Sequence, residues 1–342
     1  MEKESFGILW PYLIKEEITD IDYNGEHLWL TYENGKRKRE PLVLSKEFVN
    51  GFTQRIANRQ QKSFHPIEPV LEAETDKYRI SILHEAIATN GRSISIRKSL
   101  PKLRYTEAEA MKSGLIDADI LNLLSNCIKA RMNFVFCGEP GVGKTECAKF
   151  FASKIPCEDR IVTIEDNPEW HLKQINPLSD IVEMKVHQED SGKFSYKDGI
   201  KAALRMNPRW LMVSEARAGE AKQLISAWST GVSGITTIHT DDVAKIPERI
   251  LCMMEEYNDS PRLENEVYRY IDIGVLLVNH RDGDERYRRI EQVAFFYREN
   301  GKNICYRIWE DGHLVTTELP SEMRRRMSRH GITEPWKKEG EV

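Results

Sequence analysis

The stretch Gly138-Glu139-Pro140-Gly141-Val142-Gly143-Lys144-Thr145 constrains this chain more than any other. It fits G-x-x-x-x-G-K-[ST], a loop whose backbone N–H groups cradle phosphates at a helix N-terminus. The flanks suit that reading. Phe134-Val135-Phe136-Cys137 is a short apolar run of buried-strand type, and good helix formers run from Glu146 to Lys154 before Pro156 stops the pattern. In such a strand–loop–helix unit the lysine, Lys144, reaches the β- and γ-phosphates, and the Thr145 hydroxyl ligates Mg²⁺. The candidate nucleotide-binding residues are Gly138, Glu139, Pro140, Gly141, Val142, Gly143, Lys144, Thr145 and Glu146, with ATP and Mg²⁺ as the expected ligands.

A chain of 342 residues is too long for one small domain, so two domains are expected. Hydrophobic residues at 40% suffice for ordinary cores, and 30% charged residues imply a well-solvated surface. The net charge of −4 gives no support for non-specific nucleic-acid binding, which depends on neutralising phosphates. No run approaches the ~18–20 apolar residues that span a bilayer. The beginning, Met1-Glu2-Lys3-Glu4-Ser5, is charged and leads into no signal-type segment, so a cytoplasmic location is expected. Six scattered cysteines without a C-x-x-C pair argue against a zinc knuckle or a disulfide framework.

In chain order, residues 6–16 suit a short amphipathic helix disturbed by Pro11. Ile18–Tyr23, Leu28–Tyr32 and Pro41–Leu44 read as strands separated by the turn signals Asn24-Gly25 and Asn34-Gly35. A helix is expected over Glu47–Gln61, with further strands at Tyr78–Leu83 and Ser93–Arg97. These make an α+β domain over residues 1–99. Residues 100–106, with Pro101, read as a linker. The remainder, residues 107–342, opens with a helix capped by Thr106 and a second over Ile116–Arg131.

Beyond the glycine loop, strand-like Ile161–Ile164, Trp210–Val213 and Ile235–Ile238 alternate with helices near Tyr196–Met206 and Glu220–Ser229. That pattern is α/β, a sheet covered on both faces by helices. Active residues in such sheets gather at the carboxyl ends of the strands. Arg324-Arg325-Arg326 near the end reads as a solvated helix face, with contact to acidic lipid or a partner as the sharper option.

Transfer of a phosphoryl group to water needs Mg²⁺, a group that orients the water, and cations that offset developing charge. Glu215, just past Trp210-Leu211-Met212-Val213, is the candidate for water positioning. Ser214 stands where many such strands carry Asp, so Mg²⁺ would be held by Thr145 and the phosphates, with acidic groups acting through water. Glu165 and Asp166 follow Ile161–Ile164; Glu165 is the candidate for the Mg²⁺–water network and Asp166 its support or a helix cap. The metal candidates are thus Thr145, Glu165 and Glu215. His239 ends Ile235–Ile238 and can hydrogen-bond the γ-phosphate or Glu215. The catalytic candidates are Glu215, Glu165, His239 and Lys144. Asn90-Gly91-Arg92 and Arg97 in the first domain, with Arg79, include cationic side chains that would close over the phosphates.

Together these residues resemble the secretion-ATPase superfamily: the VirB-type traffic ATPases of type IV secretion, with type II secretion and type IV pilus motors as cousins. The likeness is carried by Walker A at Gly138–Thr145 and by an Asp box, Val162-Thr163-Ile164-Glu165-Asp166-Asn167-Pro168-Glu169. Walker B, Val213-Ser214-Glu215-Ala216-Arg217, and a His box, Thr230-Gly231-Val232-Ser233-Gly234-Ile235-Thr236-Thr237-Ile238-His239, complete it. The resemblance implies a RecA-like P-loop ATPase domain preceded by a smaller α+β domain, with nucleotide between the two. It also implies a homohexamer working with inner-membrane secretion or pilus components at the cytoplasmic face of the membrane. Family roles carry over to Lys144, Thr145, Glu165, Glu215 and His239, with Arg79 and Arg97 matching basic positions of the first domain. Val232 departs from the usual histidine of the His box, and Ser214 and Ala218 from common glycines. The Asn167-Pro168-Glu169 ending is closer to the VirB-type and Tad-pilus branch. The expected function is a hexameric ATPase powering type IV secretion, conjugative transfer or Tad-like pilus assembly. The alternatives are a nucleotide-gated scaffold with little turnover, or another P-loop enzyme such as a kinase or nucleic-acid translocase.

Overall fold

The computed structural model describes residues 2–75, 77–187, 194–216, 220–254, 260–282 and 285–338. The chain divides into two compact units, Met1–Leu100 and Pro101–Val342.

In the first unit, alternating apolar residues build six strands: β1 (Ile18–Tyr23), β2 (Leu28–Tyr32), β3 (Arg37–Glu40), β4 (Val70–Glu74), β5 (Tyr78–Leu83) and β6 (Ser93–Lys98). They form one antiparallel sheet in the order β3-β2-β1-β6-β5-β4. Two short helices precede it, α1 (Glu2–Phe6) and α2 (Trp10–Leu13). The break between them falls at Gly7, whose φ of +53° no continuous helix accommodates, and Pro11 sits in the first turn of α2, where a missing N–H costs nothing. Helix α3 (Lys46–Gln60), capped by the Ser45 hydroxyl, lays Val49, Phe52, Ile56 and Ala57 into the core with Ile21, Leu30, Ile80 and Ile96. The third strand is Arg37–Glu40 rather than Pro41–Leu44. After Asn34-Gly35 the ladder resumes at once, with Tyr32 N donating to Lys36 O at 2.9 Å, and Pro41, lacking an N–H, cannot extend it.

The second unit opens with α4 (Glu107–Lys112) and α5 (Ala118–Lys129), capped by Thr106 and Asp117. Then come β7 (Phe134–Cys137), α6 (Lys144–Ala152), β8 (Ile161–Glu165), α7 (Leu172–Ile175), β9 (Ile181–Lys185) and α8 (Tyr196–Leu204). Next are β10 (Trp210–Val213), α9 (Glu220–Trp228), β11 (Ser233–Ile238), α10 (Ile246–Met253) and α11 (Ser260–Tyr270). The antiparallel run β12 (Ile273–Asp282), β13 (Glu285–Glu299), β14 (Lys302–Glu310) and β15 (His313–Leu314) leads to α12 (Ser321–Arg329). The sheet order is β15-β14-β13-β12-β7-β11-β10-β8-β9, parallel from β12 through β9 and antiparallel beyond β12.

Side chains of β7 alternate between two cores. Phe134 and Phe136 face α5, α6 and α12, whereas Val135 and Cys137 face α8 to α11. A parallel strand buried on both sides has to be apolar throughout, and β7 and β10 are. Phe151 of α6 stacks on Phe136 at 5.9 Å, which fixes the helix over the strand it follows.

The foot of β7 is tied down by polar bonds. Asn133 accepts at Oδ1 from Gly234 N at 2.9 Å and donates from Nδ2 to Tyr270 O at 2.7 Å; its own N donates to Asp272 Oδ2 at 2.6 Å. Asp272 is 5% exposed and is met by Arg326 of α12 at 2.7 Å. The Arg324–Arg326 cluster is therefore split. Arg324 and Arg325 are exposed, but Arg326 turns inward and also donates to the carbonyls of Ala130 and Arg131.

Candidate nucleotide-binding site

The glycine loop owes its shape to backbone angles and to one close neighbour. Gly138, at φ +144°, lies so near β12 that a Cβ there would stand 2.4 Å from the Leu277 carbonyl oxygen. Gly141 and Gly143 adopt φ of +77° and +98°, the left-handed region that glycine enters without penalty. Gly143 is the cap of α6, so the helix begins at Lys144 and the N–H groups of its first turn have no intrahelical acceptor. Their partial positive charge faces the loop. Glu139, Pro140 and Gly141 form the exposed crest, Val142 is buried beneath it, and Glu146 pairs with Lys149 at 3.0 Å.

Lys144 is only 7% exposed. Its Nζ donates to Gly138 O at 3.1 Å and Glu139 O at 2.9 Å and lies 3.1 Å from His239 Nδ1. The other ring nitrogen, His239 Nε2, stands 2.9 Å from Glu215 Oε1. An ammonium offers only donors and a carboxylate only acceptors, so the imidazole between them accepts at Nδ1 and donates from Nε2. Lys144, His239 and Glu215 thus form one hydrogen-bonded line across the carboxyl ends of β7, β11 and β10. Thr237 Oγ1 ties the last two strands together by donating to Ser214 O at 2.8 Å.

Glu165 ends β8 and is 4% exposed. Its Oε1 accepts from Glu169 N at 2.9 Å and Trp170 N at 3.1 Å. Burial raises its carboxyl to about 8, against the lowering effect of those two N–H groups. Lys149, wholly buried in α6, donates to Glu169 O at 3.3 Å, so the loop after β8 is bound to the phosphate-loop helix. Asp166 exchanges bonds with Tyr196: its N donates to Tyr196 Oη at 2.9 Å, and that hydroxyl lies 3.1 Å from Asp166 Oδ1.

Among the described residues no three His, Cys, Asp or Glu side chains gather to hold a metal. Mg²⁺ in nucleotide sites takes only one or two protein ligands and does not require such a cluster. Of the oxygen donors expected from the sequence, Thr145 is half-buried in the first turn of α6 and Glu215 lies just past the carboxyl end of β10. Arg79 and Arg97 belong to the first unit, where they are cross-strand neighbours on β5 and β6. Arg97 Nε donates to Asp20 at 2.7 Å, and Arg79 stands opposite Glu74. Arg217 and Ala218 lie outside the described residues.

One cation at the loop escaped sequence reasoning. Arg288, on β13, donates from NH2 to Gly141 O at 3.2 Å and packs against Gly143. Its only signal was an arginine-rich strand, Arg286, Arg288 and Arg289, and nothing in a linear pattern brings that strand to residue 141.

A family model for the type II/IV secretion system protein matches residues 64–335. An uncharacterized protein of Bacillus anthracis is 30% identical over 268 residues, 77% of this chain and 59% of that protein, so the chain spans well under two thirds of that relative. The type IV secretion system protein PtlH of Bordetella pertussis is 27% identical over 325 residues, covering 85% of this chain and 93% of its own. Among solved structures, the pilus retraction motor PilT with bound ADP superimposes with a TM-score of 0.60 at 18% identity, over 85% of this chain and 83% of that one. The likeness to PilT is one of fold: a RecA-like sheet preceded by a smaller domain.

Proposed function

Because the chain belongs to the type II/IV secretion system protein family, we propose that it binds and hydrolyses ATP at the loop ending in Thr145. We propose further that it works as a homohexameric motor for type IV secretion, conjugative transfer or pilus assembly. The single observation that carries the reading is the line Lys144–His239–Glu215. A lysine placed for the β- and γ-phosphates is linked through one imidazole to a carboxylate on the neighbouring strand. When a γ-phosphate enters, it competes with His239 and the loop carbonyls for Lys144. Glu215 is left beside the phosphate's tip, where it orients a water and takes up its proton.

Thr145 would hold Mg²⁺ directly and Glu215 would reach it through water, and the ion would supply positive charge against the phosphates. Glu165 is proposed to act from behind: its buried carboxyl fixes the loop 165–170, which Lys149 ties to α6. Arg79 and Arg97 are proposed as cations supplied by the first unit. No helix among the described residues is long and apolar enough to cross a membrane. Peripheral work at the cytoplasmic face of a membrane is proposed from the family alone. The transported substrate is proposed only as a class, a macromolecule moved by secretion, conjugation or pilus growth.

The test is ATP turnover by the purified chain across a dilution series, with gel filtration beside it. Lys144→Ala should abolish turnover in folded protein, and wild-type turnover should fall as the assembly dissociates. Undiminished turnover in that variant overturns the site. Full specific activity in a proven monomer overturns the assembly.

A further inference from the structure

Glu215 and the pair Glu165–Asp166 come from neighbouring strands, so their spacing depends on what holds β10 to β8 where the ladder ends. The two strands pair in parallel up to Val213 and Ile164. One step further the bond is long: Ser214 N reaches Ile164 O only at 3.4 Å. Asp166, Ser214 and Glu215 lie at or past that point. A side chain takes over there.

Tyr196 opens α8 and is 2% exposed, with its ring in the core that holds Ile164 and Val213. Its hydroxyl accepts from Asp166 N at 2.9 Å and donates to Asp166 Oδ1 at 3.1 Å. The Ser214 side chain hydrogen-bonds the same oxygen. A hydroxyl has one donor and two acceptor positions, and these three bonds fill them. Burial and the neighbouring Asp166 carboxylate push the Tyr196 hydroxyl up from its ordinary range, so it keeps its proton. From the other flank, Thr237 Oγ1 donates to Ser214 O at 2.8 Å and Ala216 N donates to Thr237 O at 3.1 Å. Residues 214–216 are thus held by β11 on one side and by Tyr196 on the other, with Glu215 in the middle.

We propose that Tyr196 is a positioning residue for hydrolysis: its hydroxyl joins Asp166 to Ser214 and so fixes Glu215 relative to the loop that carries Glu165. The proposal rests on the reading above in which Glu215 aims the water. It also gives Ser214 a role, since a residue without a hydroxyl there could not meet Tyr196. Displacing a catalytic group by about 1 Å can cost on the order of 10²-fold in rate. Thr237 and His239 still hold Glu215 when the Tyr196 hydroxyl is removed, so a smaller loss is expected, about tenfold. Tyr196 acts through Glu215, so its removal changes the rate and leaves ATP affinity alone.

The experiment is single-turnover ATP hydrolysis beside equilibrium ATP binding, using the full chain. The proteins are wild type, Tyr196→Phe, Ser214→Ala, these two combined, Glu215→Gln, and Glu215→Gln with Tyr196→Phe or with Ser214→Ala. Tyr196→Phe should lose about tenfold in rate and keep ATP affinity within about twofold. Ser214→Ala should lose a smaller factor, and the combined variant no more than Tyr196→Phe alone, because both cut one connection. In Glu215→Gln, the further change Tyr196→Phe should cost nothing more. A brace needed only for stability would lower the melting temperature and leave the rate of the folded protein as it was. That result overturns the proposal, as does a loss of ATP affinity in place of rate, multiplied losses in the combined variant, or the same fold-loss in Glu215→Gln as in wild type. If Tyr196→Phe loses its folded circular-dichroism spectrum, Ser214→Ala carries the same comparison with Glu215→Gln. The two readings fail separately. Near-normal turnover in Glu215→Gln removes Glu215 as the residue that aims the water, and Tyr196 with it. A large loss in Glu215→Gln with none in Tyr196→Phe removes Tyr196 alone.

Discussion

His239 Nε2 lies 2.9 Å from Glu215 Oε1, so the carboxylate that would aim the water is already oriented by a donor from the next strand. Glu215 therefore has a defined direction before any nucleotide arrives. Glu215→Gln keeps the size of the side chain and its acceptor for His239, but removes its capacity to take a proton. Turnover should fall by about 10²–10⁴-fold, the usual worth of a positioned general base. ATP affinity should stay within a few fold. Single-turnover hydrolysis beside equilibrium ATP binding measures both, and near-normal turnover in Glu215→Gln would transfer the role to another residue.

His239 offers a different expectation, because it acts by positioning. Its removal breaks two hydrogen bonds to charged groups, each worth roughly 1.5–3 kcal/mol. His239→Ala should lower kcat by about 10–100-fold, less than Glu215→Gln. His239→Gln, whose amide also accepts and donates, should recover part of the loss. Equal kcat in the alanine and glutamine variants would mean that the line through the ring is incidental.

How much of this was visible in the sequence depended on locality. The loop, β7 and α6 were legible because glycine spacing, an apolar tetrapeptide and helix formers lie within twenty residues of one another. Glu215 and His239 were legible because each ends an apolar strand. The edge strands were harder. β9 (Ile181–Lys185) carries Glu183 and Lys185 among its apolar residues, and all four residues of β3 are charged, since an edge exposes one side to water. The antiparallel run β12 to β15 was not anticipated, and with it went Arg288. Its nearness to Gly141 comes from a pairing 147 residues apart, which no local pattern encodes. Arg326 was misjudged for a related reason: its partner Asp272 is 54 residues away.

Glu165 predicts a pH dependence. Burial places its carboxyl at about 8 in the folded chain, against 4.5 for the free side chain, so folding favours the protonated form. Its stabilising contribution is complete below about pH 4.5 and is lost as pH rises toward about 8. Glu165→Gln keeps an oxygen that accepts from Glu169 N and Trp170 N and cannot ionise. Relative to wild type, the glutamine variant should gain stability across that pH window and level off above it. Urea unfolding at a series of pH values reads the difference; a difference that does not change with pH would remove Glu165 as its source.

Two glycines of the loop separate backbone strain from collision. At Gly141 nothing lies within 4 Å of an added Cβ, so Gly141→Ala costs only the positive φ, about 1–3 kcal/mol. At Gly138 the same strain is joined by the Leu277 carbonyl at 2.4 Å, a backbone atom that cannot swing away. Gly138→Ala should be the more destabilising of the two and should displace β12 or the loop, with loss of ATP binding. Thermal melting with and without ATP ranks them, and the reverse order would contradict the close packing of the loop against β12.

The three arginines of α12 should behave as two classes. Arg324 and Arg325 are exposed, and replacing either with alanine should change stability by no more than about 0.5 kcal/mol. Arg326 neutralises Asp272, a buried carboxylate whose other oxygen accepts from Asn133 N at the foot of β7. Removing the cation strands that charge, which typically costs roughly 3–5 kcal/mol. Arg326→Ala should therefore be strongly destabilising, and adding Asp272→Asn to it should restore much of the loss, because an amide needs no counter-charge there. Denaturant unfolding of the two single variants and the double variant gives the coupling directly. Additive effects would mean that Arg326 stabilises the chain through its contacts with the Ala130 and Arg131 carbonyls rather than through Asp272.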